Sequence, residues 1–442
     1  MSGTGDVAWT GGVSDTGAKL IATSTVTPTV ISMTRIRGLG VVSLLLTAIA
    51  APIFGFGQPA SARVIFTFGS AQSIALPQLA LPVRWFSLSM AVVMLLAGVV
   101  LLLTQTRRGA YGVFAAAVVA FLWSFLAWAA RGNSLNLTSV LASSLVASIP
   151  LIFGSMSGIL CERSGVINIA IEGQFLAGAF MGAMIGSWTQ NLWLGLLAGA
   201  VVGALIGLLL AFLSLRYAVD QIIVGVVLVA LATGLTNYLT NQLLNPFQGT
   251  LNSPSTFPAL PIPILDKIPV VGPVLFDQNI FVYLAVVLVV AIDIALFRAR
   301  WGLRVRSVGE HPEASQSVGI SVVRTRYRSV VLGGAVAGVG GVAFTLGSVG
   351  EFSVGMSAGL GFVALAVMIF GRWRPYSAFL AALLFGFSDA LQSILAVLNV
   401  PIPSPFLIMA PYLVTIGVVA GLVGRAVPPG ADGKPFLQQS KG

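Results

Sequence analysis

Three carboxylates and several amides and hydroxyls lie where the sequence is otherwise apolar. Asp389 sits near the middle of the run 376–398, beside Ser388, Gln392 and Ser393. Glu172 lies about 9 Å past Val166 at 1.5 Å per residue, with Asn168 and Gln174 as companions. Thr236, Asn237 and Asn241 share the run 221–243, and Asp293 closes a fourth. An ionisable group in hydrocarbon is costly and is a functional candidate by default. The chemistry on offer is hydrogen bonding to a polar solute passing between helices. Each carboxylate also has a structural reading. Glu172 could pair with Arg163 or cap backbone amides where its helix starts. That reading is preferred, because the position is nearer one end of the run than its middle. Asp389 could line a path or bond a neighbouring helix, and both readings stand. Asp293 is read as pairing with basic groups at the membrane boundary.

Covalent chemistry finds no support. The chain has no GxxxxGK[ST] phosphate loop and no HExxH motif. His311 is its only histidine and Cys161 its only cysteine, so no intramolecular disulfide and no Cys-based metal site is expected. A lone His in a polar stretch cannot supply an intramembrane triad. The chain is read as a non-enzyme with no metal and no cofactor of its own.

The elements that must position these side chains are membrane helices. The chain is 57% hydrophobic and 8% charged, against about 25% charged in a typical soluble domain. So much apolar surface cannot be hidden inside one water-facing globule. A spanning helix needs about 20 apolar residues. Candidates fall at 38–56, 85–104, 109–130, 136–160, 166–187, 192–214, 221–243, 280–297, 327–348, 359–371, 376–398 and 406–424. The expected class is all-α, a polytopic membrane protein of about 10–12 transmembrane helices. The weakest candidate, 359–371, reads as a short, broken or re-entrant helix that still completes a crossing. Gly333, Gly334, Gly338, Gly340 and Gly341 read as close helix packing.

Charge orients the bundle. A net charge of +10 would suit nucleic acid in a soluble protein. Here it reads as a positive-inside bias, and no nucleic-acid partner is expected. With the polar loop 298–328 set in the cytoplasm, only Arg63, Arg84, Arg131 and Lys267 of the 23 Lys and Arg fall outside. Both termini are then cytoplasmic. The expected order is a disordered tail (1–34) with no signal peptide ahead of the first apolar run. An N-terminal membrane extension of about three spans (35–134) follows, then the main transmembrane domain (135–425) and a second cytoplasmic tail (426–442). The Pro-rich stretch 244–279 reads as an outer cap or docking surface, or as a plain connector.

The loop carries seven arginines, Arg298, Arg300, Arg304, Arg306, Arg324, Arg326 and Arg328, against Glu310 and Glu313. The arginines read as topology markers and anchors for membrane lipid. The centre of the loop predicts a short surface helix. Pro312 would sit in its first turn, where a missing N–H costs nothing. Ala314 and Ser315 are small enough for close approach, and Gly319 would end the helix.

Glu313-Ala314-Ser315 with Gly319 resembles the EAA-x3-G coupling motif of ABC importer permeases, Ser315 standing where a second Ala is usual. Cys161–Gln174, CERSGVINIAIEGQ, resembles the ERSGVxNIxxEG signature of such permeases of the nucleoside and simple-sugar type, within the branched-chain amino acid and ribose-like superfamily. Val308–Tyr327 and Phe385–Gln392 resemble two further elements in the same order. The resemblance implies a permease subunit in a bacterial plasma membrane, moving nucleosides by alternating access. ATP would be hydrolysed by a cytoplasmic ATP-binding subunit docked on Glu310, Pro312, Glu313, Ala314, Ser315 and Gly319. The other implied partners are a second related permease and an extracytoplasmic substrate-binding protein. Asn168, Glu172, Gln174, Asn237, Ser388, Asp389 and Gln392 become candidates to meet ribose and base. The alternatives are a simple-sugar permease, an ion-coupled secondary transporter that conscripts Glu172 and Asp389, and a non-transporting scaffold. A secondary transporter has no need of the loop helix, and a scaffold has no need of intramembrane polar groups.

Overall fold

Short polar side chains start several of the helices by accepting their first amide protons. Asn136 accepts from Ser139 N, Asn191 from Trp193 N and Leu194 N, Asp220 from Ile222 N and Ile223 N, and Asn279 from Phe281 N. The computed structural model describes residues 33–69, 76–103, 109–398, 400, 409 and 426–436. The expected tail 1–34 lies almost wholly outside the described residues, as does the expected span 406–424 but for Met409.

The chain divides into two units, Met1–Ala60 with Val83–Trp128, and Ser61–Pro82 with Ala129–Gly442. The first holds α1 (Met33–Ala50), α2 (Val83–Leu103) and nearly all of α3 (Ala110–Ala129). Gly40 and Gly98 let α1 and α2 approach closely, and Ser43 Oγ donates to Met94 O at 3.0 Å. Phe54 closes the unit against Phe121, Phe125 and Trp128, with ring centroids 5.8, 5.8 and 5.1 Å away.

The second unit begins with three short strands, β1 (Arg63–Thr67), β2 (Leu79–Pro82) and β3 (Ser134–Asn136), in the order β2-β1-β3. Strand β1 is antiparallel to β2 and parallel to β3. Then follow α4 (Leu137–Glu162), α5 (Ile171–Thr189), α6 (Leu192–Ala211) and α7 (Gln221–Leu239). A Pro-rich connector contains the antiparallel pair β4 (Ala259–Pro261) and β5 (Asp277–Asn279). Next come α8 (Ile280–Asp293), α9 (Arg300–Glu310), α10 (Pro312–Ser317), α11 (Val322–Phe344), α12 (Leu360–Phe370) and α13 (Pro375–Val397). The five short strands are a departure from a purely helical reading, and all lie in connections between helices.

Among the described residues nine helices are long and apolar enough to span a membrane. In the spans built on α4 and α11, 61% of residues are buried, against 28% in those built on α6 and α7, so α4 and α11 form the centre of the second unit. Helix α5 falls outside the nine because it carries Glu172 and Gln174. It tolerates them because most of its residues are enclosed by other helices rather than by lipid. Backbone meets backbone where α5, α6 and α11 cross. A Cβ on Gly338 would overlap the Gly199 carbonyl, and one on Gly178 would overlap the Gly338 carbonyl. Small residues at such crossings allow the close contact that drives packing in lipid.

The expected span 359–371 is a half-helix. Helix α12 has 11 residues, about 16 Å against a hydrocarbon core of about 30 Å. The segment's two ends nevertheless reach opposite ends of the unit. Phe352 N donates to Asn252 Oδ1 at 2.7 Å at the connector end, and Trp373 Nε1 donates to Glu162 Oε2 at 2.6 Å at the loop end. Residues 352–359 descend without helix, and α12 covers the rest.

Candidate functional site

The exposed amide groups form one stripe. Asn241 Nδ2 donates to Asn237 Oδ1 at 3.2 Å, and Asn245 Nδ2 donates to Asn241 Oδ1 at 3.1 Å, all on the exposed side of α7 and the turn that extends it. Four-residue spacing stacks them on one face. Exposed Thr233 lies one turn earlier on the same side. Apolar Ile223, Val226 and Val227 occupy the other half of the helix. A polar stripe on the outside of a membrane helix would be costly against lipid. It suits a water-filled path or a second polar surface.

Asp389 faces a cavity of about 140 Å³ lined by Val146, Pro150, Asn279, Phe344, Ser348 and Leu360. Ligand sites typically hold about 300–1,000 Å³, so within one chain this space suits a few waters. The neighbouring helices offer Asp389 no interhelical bond: among the described residues its carboxylate has no hydrogen-bond or ion-pair partner. Ser388 is buried and spends its hydroxyl on Leu384 O at 3.1 Å, and Gln392 is half-buried.

Glu172 has a specific partner. Its Oε1 accepts from Ser357 Oγ at 2.6 Å and from Gly359 N at 2.9 Å, and its Oε2 accepts from Gly361 N at 2.7 Å. The carboxylate therefore caps the N-terminus of half-helix α12, where orphan amides and the helix dipole both favour an acceptor. Capping is the expected structural role, but for a different helix, and Arg163 is not the partner. Asn168 and Gln174 are fully buried with Ser157: Asn168 Nδ2 donates to Ser157 Oγ at 3.2 Å and to Gln174 Oε1 at 3.1 Å. They bind the turn before α5 to α4 rather than facing an open path. Asp293 shows no basic partner within ion-pair reach among the described residues, against the expectation from sequence.

The loop forms the expected short helix, α10, with Pro312 in its first turn. Gly319 adopts φ +82°, Gly319 N donates to Gln316 O and Ile320 N to Ser315 O, each at 3.0 Å. A left-handed glycine at C′ with these two bonds is the Schellman type of helix stop. Glu313 and Ala314 are exposed, whereas Ser315 is buried and its hydroxyl meets that of Ser307 at 2.7 Å. Glu310 Oε2 accepts from Gly430 N at 3.0 Å. Two apolar side chains complete the surface: Val318 is 74% exposed and Leu303 62% exposed. Sequence reasoning passed over both, although Val318 beside the helix-ending Gly319 was available as a signal.

Sequence reasoning also grouped Arg326 with the other basic residues of the loop. It is instead fully buried, and Nε donates to Ser164 O at 3.1 Å while Nη1 donates to Lys434 O at 3.0 Å. Its phase with Val322, Val330 and Gly333 on the buried side of α11 was legible. Arg163 Nε donates to Trp373 O at 3.0 Å, and burial lowers its guanidinium from the ordinary range. Phe297 lies beneath both Arg163 and Arg306, at 5.5 and 5.0 Å from its ring.

Residues 140–419 match the family described as "Branched-chain amino acid transport system / permease component". The chain is 39% identical to the nucleoside ABC transporter permease protein NupC of Lactococcus lactis over 316 residues, 69% of this chain and 98% of that protein. It is 37% identical to the guanosine ABC transporter permease protein NupQ of Bacillus subtilis over 314 residues, 68% of this chain and 97% of that protein. A putative glucose ABC transporter permease, TsgC13 of Haloferax volcanii, is 32% identical over 57% of this chain and 76% of its own length. No solved structure matches. The family match covers well over half of the chain: this protein belongs to the branched-chain amino acid transport system permease-component family.

Proposed function

We propose that this chain is the permease subunit of an ATP-driven importer that carries nucleosides across a bacterial plasma membrane. The observation that carries the reading is the exposed amide stripe Asn237–Asn241–Asn245, an uncovered polar face on a membrane helix of a chain related along its full family domain to nucleoside permeases. Amides offer a donor and an acceptor together, the pattern that base edges and ribose hydroxyls need. A second, related permease would close a path over this face. Asp389 with its small cavity is a second polar candidate, lined by α4, α11 and α12 rather than by α7. Asn168, Glu172 and Gln174 shape the path by holding α5 and α12, without touching substrate.

The loop end faces the cytoplasm, with both termini on that side. A cytoplasmic ATP-binding subunit grips α10 through Glu310, Pro312, Glu313, Ala314 and Ser315, with Gly319 ending the grip and Val318 and Leu303 as apolar anchors. A substrate-binding protein delivers nucleoside to the connector end. Closure of the ATPase pair moves α10 and reorients the helices, so that the path opens alternately to each side.

The likeness to a glucose permease supports a second reading, a simple sugar as cargo, more weakly because it covers less of the chain. The test is uptake into vesicles carrying all subunits, with purine and pyrimidine nucleosides, ribose and glucose offered separately. ATP-dependent nucleoside uptake is expected. ATP-dependent sugar uptake alone would replace the cargo, and uptake that follows an ion gradient without ATP would overturn the class.

A further inference from the structure

The C-terminal segment 430–434 lies across the cytoplasmic end of the second unit and joins elements distant in sequence. Ala431 N donates to Gly309 O at 2.8 Å, and Gly430 N donates to Glu310 Oε2 at 3.0 Å, which ties the segment to the end of α9. Arg326 at the base of α11 donates to Lys434 O at 3.0 Å and to Ala431 O at 3.5 Å on one side, and to Ser164 O at 3.1 Å on the other. Its planar fork suits three separate acceptors at once. Ala431 is 4% exposed and Arg326 is 0% exposed, so these contacts are built into the fold. Asp432 lies beside Glu162 at the end of α4, so the two acidic side chains face each other.

Followed outward, the contacts form one chain. Ser315 of α10 bonds Ser307 of α9. Helix α9 bonds the tail, the tail bonds Arg326, and Arg326 bonds the loop after α4. Glu162 and Arg163 in turn hold Trp373, which follows half-helix α12. Without the tail, the end of α9 would lose its bonds to Gly430 and Ala431, and Arg326 two of its three carbonyl acceptors.

We propose that residues 430–434 are a strap that couples the ATPase-facing helix α10 to α4 and α12, with Arg326 as its positioning residue. The inference rests on α10 being the ATPase dock. The strap stays attached through the transport cycle and moves with the loop as one body. Its partner is therefore the permease's own loop, and through it the ATP-binding subunit.

The assembled transporter in proteoliposomes gives the test, with ATP hydrolysed per nucleoside imported as the readout. The cargo is whichever nucleoside the uptake panel identifies. A chain ending at Val427 and the variant Arg326→Gln are each expected to raise that ratio at least about five-fold, the lower end of typical coupling effects, with normal amounts of assembled complex. Arg326→Lys, which keeps the charge and loses the fork, should recover part of the coupling. An unchanged ratio in intact complexes overturns the strap. Glu313→Lys separates the two readings. If it leaves the ratio unchanged, the dock itself is misplaced; if it uncouples while the strap variants do not, only the strap fails.

Discussion

Glu172 and Gly361 are 189 residues apart in sequence, yet Glu172 Oε2 accepts the Gly361 amide proton at 2.7 Å. A broken helix leaves its first amides without intrahelical partners, and inside a membrane there is little water to supply them. One carboxylate from α5 takes two of those amides, Gly359 N and Gly361 N, and the Ser357 hydroxyl as well. It also fixes where the crossing switches from extended chain to helix.

Replacing Glu172 by Ala is expected to cost on the order of 3 kcal/mol, because buried donors are left unmade as well as bonds lost. Thermal unfolding in detergent measures it. Ser357→Ala, which removes a single donor, should cost about 1 kcal/mol. Equal and small effects from both would dismiss the cap.

Gly338 tolerates no side chain. Gly338→Leu should abolish folded protein, since even a Cβ overlaps the Gly199 carbonyl. Gly112→Ala is the contrast, with nothing within 4 Å of its added Cβ. A change of within about 0.5 kcal/mol is expected there. Size-exclusion profiles of the two variants decide the matter.

The helix stop at Gly319 requires φ +82°, and proline locks φ near about −65°. Gly319→Pro should lower coupled ATP hydrolysis while the protein still inserts, because the distortion is confined to the loop. Val318→Asp should weaken binding of the ATPase without altering membrane content. Loss of insertion in either variant would make the loop a folding element instead.

Burial raises the Asp432 carboxyl from 3.8 to about 6. The docked strap thus holds a proton that a free tail would release between about pH 4 and 6. Docking is strongest below that window, weakens as pH rises through it, and levels off above. Glu162 from α4 and Arg326 from α11 face the group, with Glu310 of α9 and Lys434 close by along the strap. Proteolysis of the tail should therefore quicken as pH rises toward about 6, and Asp432→Asn should flatten that dependence. An unaltered slope in the variant would assign the proton to another group.

Much of this architecture was legible in the residues. Long apolar runs identify helices by length alone, and Pro312 with Gly319 brackets α10 through backbone chemistry that acts within one turn. The glycines of α11 could be read as packing because small residues have few other uses in a membrane helix. The carboxylates resisted the same treatment. Glu172 and Asp389 look alike as isolated acids in apolar runs, but one is saturated by Ser357, Gly359 and Gly361 and the other faces an open cavity. Arg326 hid among six other loop arginines because charge says nothing about which side of a helix is covered.

Composition, apolar length and turn chemistry therefore determined that the chain is a polytopic helical protein with a short surface helix, since those are local or bulk properties. Only the tertiary structure decided which polar groups are satisfied and which are left exposed. A hydrogen bond depends on distance and direction between segments that the sequence separates by a hundred residues or more. That is why the cap at Glu172 and the anchor at Arg326 emerge only once the helices are packed; the Asn237–Asn241–Asn245 spacing is local, and packing decides only that it stays exposed.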